Sequence, residues 1–113
     1  MEAISTNVEG DVTVVTVDGN LDSQLPRDLL QTIQTAIGRG EGKFVLDLSG
    51  VRIINSMGLG SLVAIFTTIA NSGGRIVFSG LNKNLKDSLI LTKLISLFEI
   101  ADSVADATAL LKG

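Results

Sequence analysis

The sequence predicts an α/β fold: a mixed, mostly parallel sheet of four to five strands, opened by an N-terminal β-hairpin and packed with about four helices. Three observations predict it. Short runs that read as strands recur along the chain: the β-branched "VTVVTV" and the apolar "KFVLDL" and "RIVFSG". Between them lie segments whose apolar residues repeat at helical spacing. Turn-forming residues sit at the junctions, as in "EGD", "DGN" and "NSGG". Strands that alternate with helices imply a layered α/β arrangement, with right-handed crossovers wherever parallel strands follow one another.

The elements follow in order. Glu9-Gly10-Asp11 forms the turn of the hairpin, and Val12, Val14 and Val17 partly alternate with polar residues along its second strand. Asp18-Gly19-Asn20 closes that strand. Pro26 suits the first turn of a helix. Leu29, Leu30, Ile33 and Ile37 continue it, and Gly38 and Gly40 end it. "KFVLDLSG" is nearly continuous in apolar residues, as expected of a strand covered on both faces.

A second helix runs from Gly58 to Ala70, with Leu59, Leu62, Val63, Phe66 and Ala70 on one face. "RIVFSG" is the next strand. Residues 84–95 form a third helix with Leu85, Leu89 and Thr92 on one side. "LFEI" supplies a short last strand. The final helix, capped by Asp102 or Ser103, turns Val104, Thr108 and Leu111 inward. The order is β-β-α-β-α-β-α-β-α, expected as a single domain over residues 1–113.

Composition excludes several function classes. With no Cys and no His among 113 residues, disulfides, thiol chemistry, Ser-His catalysis and the usual zinc sites are ruled out. The net charge of −3 and the lack of a dense basic run argue against nucleic acid. Hydrophobic residues make up 45% of the chain, but the longest apolar runs fall short of the ~20 residues that span a bilayer. "MEAISTNVEGDV" has neither a basic nor an apolar leader region, so a cytoplasmic protein without membrane insertion is expected.

Two glycine-rich stretches fail as nucleotide motifs. "GRGEGKF" has Ile37 and Phe44 where a P-loop needs Gly and Ser or Thr. "GLGSLV" has Val63 in place of the third glycine of a dinucleotide fingerprint. Asp18, Asp22 and Asp47 read as turn or strand-end residues, so no metal or cofactor is expected.

The stretch "IINSMGLGSL", residues 53–62, places one hydroxyl, Ser56, between a buried strand and a helix. Ser56 reads in two ways. It can cap the helix, a role worth ~1 kcal/mol. It can also carry a phosphate, which the positive end of a helix dipole accommodates. Such a group adds about −1.5 to −2 charges to a surface of Ile, Met and Gly.

"FVLDLSGVRIINSMGLGSLVAI" resembles the signature of the STAS domain, the fold of anti-sigma factor antagonists. In that family a strand ending Asp-Leu-Ser-Gly-Val leads to Asp-Ser-Ser-Gly-Leu-Gly at a helix start. Asp47, Leu48, Ser49, Gly50 and Val51 match the first part, and Ser56, Gly58, Leu59 and Gly60 the second. "VDGNLDS", "GGRIVFSGL" and "LFEI" extend the likeness over almost the whole chain.

The resemblance implies a partner switch rather than an enzyme. Its partners would be an anti-sigma factor serine kinase and a phosphatase acting on phospho-Ser56. The kinase would dock on Asn55, Ser56, Met57, Gly58, Leu59 and Gly60, with Asp22 and Ser23 beside them. The same family implies a second function: a cytoplasmic subunit of a lipid or anion transport system. Two departures stand out. Asn55 replaces the usual Asp, which removes one negative charge beside the acceptor. Met57 replaces the second serine, which leaves Ser56 as the only hydroxyl at the tip.

Overall fold

A computed structural model describes residues 3–22 and 24–112. Strands β1 (Ile4–Glu9) and β2 (Val12–Asp18) pair antiparallel around the Gly10-Asp11 turn, with Glu9 opposite Val12 and Ile4 opposite Val17. Every later pairing is parallel: β3 (Lys43–Gly50) on β2, β4 (Arg75–Ser79) on β3, and β5 (Glu99–Ala101) on β4. The strand order β1-β2-β3-β4-β5 follows the chain, so each parallel step is spanned by a helical crossover. The mixed, mostly parallel sheet with its opening hairpin is the one expected.

β3 lies at the centre of the sheet, and Phe44, Val45, Leu46 and Leu48 are all fully buried. The pleat divides them between two faces. Phe44, Leu46 and Leu48 join Val15, Val17, Ile76 and Phe78 beneath α1 (Leu25–Gly38), α2 (Ser56–Asn71) and α3 (Lys83–Leu91). Val45 joins Val12, Val14 and Val77 beneath α4 (Val104–Lys112), whose Ala107 and Leu111 cover them. Phe98 packs on Phe78 and Phe66, with ring centroids 4.5 and 5.4 Å apart, so three of the four phenylalanines meet in the larger core.

Two local expectations change, and a third is settled between its two alternatives. α2 buries Gly58, Leu62, Ile65 and Ile69, while Ala70 is exposed and Leu59, Val63 and Phe66 only flank the core. This helix is apolar around most of its girth, so its sequence offers two neighbouring stripes, and the fit against the sheet selects one. α3 stops at Leu91 instead of running to residue 95. Lys93 adopts φ +64°, which breaks the helix before a 3₁₀ turn at Leu94–Ser96, and Thr92, expected inside, is exposed. Leu94 and Ile95 keep packing against the core, so the apolar spacing hides the break. At α4, Ser103 rather than Asp102 is the cap: the Asp106 N–H donates to Ser103 Oγ at 3.1 Å. No helix among the described residues is long and apolar enough to cross a membrane.

Candidate functional site

After β3 the chain crosses residues 51–55 and enters α2. This short loop is held from both sides. On one side, Leu21 donates its N–H to the Ile53 carbonyl at 3.0 Å and forms an isolated parallel bridge with Ile54. On the other, Asn82 Nδ2 donates to the carbonyls of Val51 and Arg52, both at 3.2 Å. The Oδ1 of the same side chain accepts the Leu85 N–H at 2.9 Å and so caps α3. One amide thus joins α3 to the loop, and Val51 is buried beneath it.

α2 begins two residues earlier than the expected Gly58. Asn55 is in extended conformation (φ −105°, ψ −175°), and its Oδ1 accepts the Gly58 N–H at 2.9 Å. The cap is therefore Asn55, and the capping role expected of Ser56 is corrected. Ser56 is the first helical residue, exposed, and not used as the cap. Helix geometry leaves its N–H and that of Met57 without an intrahelical acceptor. The first turn of α2 contains no acidic residue, so the positive end of the helix dipole is uncompensated.

The surroundings of Ser56 are apolar and open. Ile53 is 56% exposed and Met57 58%. Gly60 is exposed, and a Cβ there would meet nothing within 4 Å. Gly58 is the opposite case. It is buried, and a Cβ would run into the Leu21 carbonyl oxygen and the Ile54 side chain. Its bare Cα lets α2 sit on the segment before α1.

The expected docking residues therefore divide. Asn55, Ser56, Met57 and Gly60 reach the surface, Leu59 is half-buried against the core, and Gly58 packs inward. Asp22 follows Leu21, which pairs with Ile54, so the chain brings it to the same end of the sheet. Ser23 lies outside the described residues. Asp47, expected at a turn or strand end, lies inside β3, three residues before its end, and its Oδ1 accepts the Ser49 N–H at 3.0 Å. Among the described residues no group of three His, Cys, Asp or Glu could hold a metal.

A family model described as the STAS domain matches residues 3–107. The chain belongs to the STAS domain family. A Thermotoga maritima protein provisionally named an anti-sigma factor antagonist is 34% identical over 71 residues, which span 63% of this chain and 63% of that protein. A crystal structure of a Thermotoga maritima protein with the same provisional name superposes with a TM-score of 0.90 at 24% identity, covering 97% of this chain and 95% of that one. The anti-sigma factor antagonist SpoIIAA in its unphosphorylated form gives 0.75 at 17% identity, covering 98% and 99%. The phosphorylated form of the Bacillus protein gives 0.73 at 17%, covering 95% and 97%. At these identities the structures establish the STAS fold.

Within this STAS domain, sequence reasoning missed Asn82 and the outer surface of α3. An Asn before a helix is a readable cap signal. Its second set of bonds, to a loop thirty residues earlier, has no local signature. Nor does the exposure of Leu91, 83% open to solvent at the end of α3.

Proposed function

We propose that this STAS domain is an anti-sigma factor antagonist, a phosphorylation-controlled partner switch acting in the cytoplasm. Unmodified, it binds an anti-sigma serine kinase and so releases a sigma factor. The observation that carries this reading is the exposed Ser56 hydroxyl at the start of α2, freed from capping by Asn55.

In the modification step the γ-phosphoryl group of ATP passes to Ser56 Oγ, the hydroxyl proton goes to a base on the kinase, and ADP leaves. The kinase must supply that base, since this chain has no His and no phosphate loop. The STAS domain contributes position: a rigid loop, an open acceptor and a helix end that tolerates the anion. The unmodified surface of Ile53, Met57 and Gly60 suits close docking. A phosphate there would have to be desolvated, and the complex separates. A phosphatase restores the binding form by hydrolysis. The names of the relatives and the two phosphorylation states known for SpoIIAA support the assignment.

The test incubates the protein with the anti-sigma-type ATPases of its own genome and Mg-ATP, followed by peptide mass spectrometry. The expected result is phosphate on Ser56 and none on Ser56→Ala. Phosphate only elsewhere, or none, contradicts the reading. Co-purification with a membrane transport complex in place of a kinase would favour the transport role.

A further inference from the structure

β1 is one edge of the sheet, and no strand among the described residues pairs with its outer side. Edges usually carry Lys, Pro, a bulge or a very short strand, each of which discourages further pairing. The opposite edge follows that rule: β5 has three residues, and its Glu99 is bound to Arg75. β1 does not. It runs for six residues, Ile-Ser-Thr-Asn-Val-Glu, with no Pro and with its one charge at the end. Its register with β2 is unbroken from Ile4 to Glu9, and Val8 is 57% exposed.

The ladder settles which backbone groups are free. The Asp18 N–H donates to the Ala3 carbonyl at 2.8 Å, so Ala3 and Asp18 form a hydrogen-bonded pair. Bonded and non-bonded pairs alternate along an antiparallel ladder. Ser5, Asn7 and Glu9 therefore turn their N–H and C=O toward β2, and Ile4, Thr6 and Val8 turn theirs to the open edge. A second β1, antiparallel and related by a two-fold axis at Thr6, satisfies all of these groups. Thr6 then lies opposite its own copy, Ile4 opposite Val8, and Ser5 opposite Asn7. Thr–Thr and β-branched cross-strand pairs are favourable. Glu9 falls opposite Ala3, so like charges do not meet. Centring the axis on Ser5 or Asn7 instead pushes Val8 or Ile4 past the end of the other strand.

The helix beside this edge fits the same symmetry. Thr6 lies opposite Val15 of the larger core, so it is on the α1 face of the sheet. There it borders an open groove of about 450 Å³ with Asp28, Gln31, Thr32, Thr35 and Arg39, a polar stripe along α1. β2 and β3 are parallel, so the α1 crossover runs against them and along β1. The two-fold sets α1 antiparallel to its copy, with the Asp28 end of one level with the Arg39 end of the other. The stripe is complementary in charge to itself, as an isologous interface requires.

We infer that β1 is the interface of a symmetric homodimer, in which two five-stranded sheets join edge to edge and Asp28 of each copy faces Arg39 of the other. The inference does not rest on the switch reading. The two-fold sends the two Ser56 tips to opposite ends of the joined sheet, so both stay open.

Sedimentation of the full chain from micromolar to millimolar concentration should show a monomer–dimer equilibrium. Thr6→Pro removes an outward N–H and leaves the bonds to β2 in place, and it should raise the dimer Kd by about tenfold or more. Asp28→Arg should also weaken pairing by about tenfold, and adding Arg39→Asp should recover most of the loss. The chain has no Cys, so single cysteines read the register. On mild oxidation Thr6→Cys should give a disulfide-linked dimer. Val8→Cys, about 13 Å from its copy, should not. A chain that stays monomeric throughout overturns the proposal. So does a Thr6→Pro or Asp28→Arg dimer as tight as wild type, no recovery on adding Arg39→Asp, or cross-linking at position 8 in preference to position 6. Thermal melts of each variant separate lost pairing from lost folding, and where Thr6→Pro does not fold, the charge exchange and the cysteines decide.

Discussion

The Asn55 side-chain oxygen accepts the Gly58 backbone N–H at 2.9 Å, so the residue before Ser56, and not Ser56, caps α2. Asn55→Ala should therefore lower unfolding free energy by about 0.5–2 kcal/mol. Asn55→Asp keeps the cap and places a charge at the helix N-terminus, a gain of about 0.3–1 kcal/mol. Ser56→Ala should stay within about 0.5 kcal/mol of wild type, as for an exposed position without a capping role. Urea unfolding of the three variants checks the order. A loss on Ser56→Ala as large as that on Asn55→Ala would contradict the assignment of the cap.

Gly58 and Gly60 should respond in opposite directions to the same substitution. Gly58→Ala forces a methyl group against the Leu21 carbonyl and should destabilise by about 1–3 kcal/mol. Gly60→Ala meets open space inside a helix and should stabilise by up to about 1 kcal/mol. Thermal melts measure both. If the partner lies close over this turn, Gly60→Ala also weakens kinase binding despite its gain in stability. A Gly60→Ala variant that binds as wild type would place the contact elsewhere.

Far from the site, the buried Thr13 hydroxyl donates to Glu41 Oε1 at 2.7 Å, and Arg39 Nε donates to Oε2 at 3.0 Å. The Thr13 hydrogen bond first, then Arg39, holds the Glu41 carboxyl below its ordinary value of 4.5. A folded-state pKa below the unfolded one gives stability that is present above the ordinary value and is lost as pH falls through the folded value. Glu41→Gln should be less stable than wild type at neutral pH, and the gap should narrow on acidification below the ordinary carboxylate range. Denaturation midpoints from pH 7 downward read this directly. A gap that stays constant would mean the carboxylate charge contributes nothing.

Much of this was legible in the sequence because strands and helices announce themselves by period. "KFVLDLSG" reads as a strand covered on both faces, and Val45, Leu46 and Leu48 are fully buried. The order of nine elements and the mixed pairing follow from turn residues and crossover rules. The end of α3 was not legible. Leu94 and Ile95 continue the apolar spacing, and the break lies in the backbone of Lys93 at φ +64°. The inward stripe of α2 was ambiguous for want of polar residues to mark an outer face. At the candidate site, the family motif singled out Ser56 as the residue to test. Its division of labour with Asn55 needed cap geometry, since Asn and Ser are both good caps. The joint made by Asn82 is long-range, and only the folded chain brings it to Val51 and Arg52.

The central claim is that phosphate on Ser56 switches binding without unfolding the domain. Titration calorimetry of the kinase against unmodified and Ser56-phosphorylated protein, with thermal melts of both, tests it most directly. Binding should weaken by about 2–5 kcal/mol, the usual effect of an unmatched charge buried in an interface. The melts should stay level or rise slightly, since the helix end favours the anion by about 0.3–1 kcal/mol. Equal affinity for the two forms would contradict the account, and so would a phosphorylated protein that loses binding only because it has unfolded.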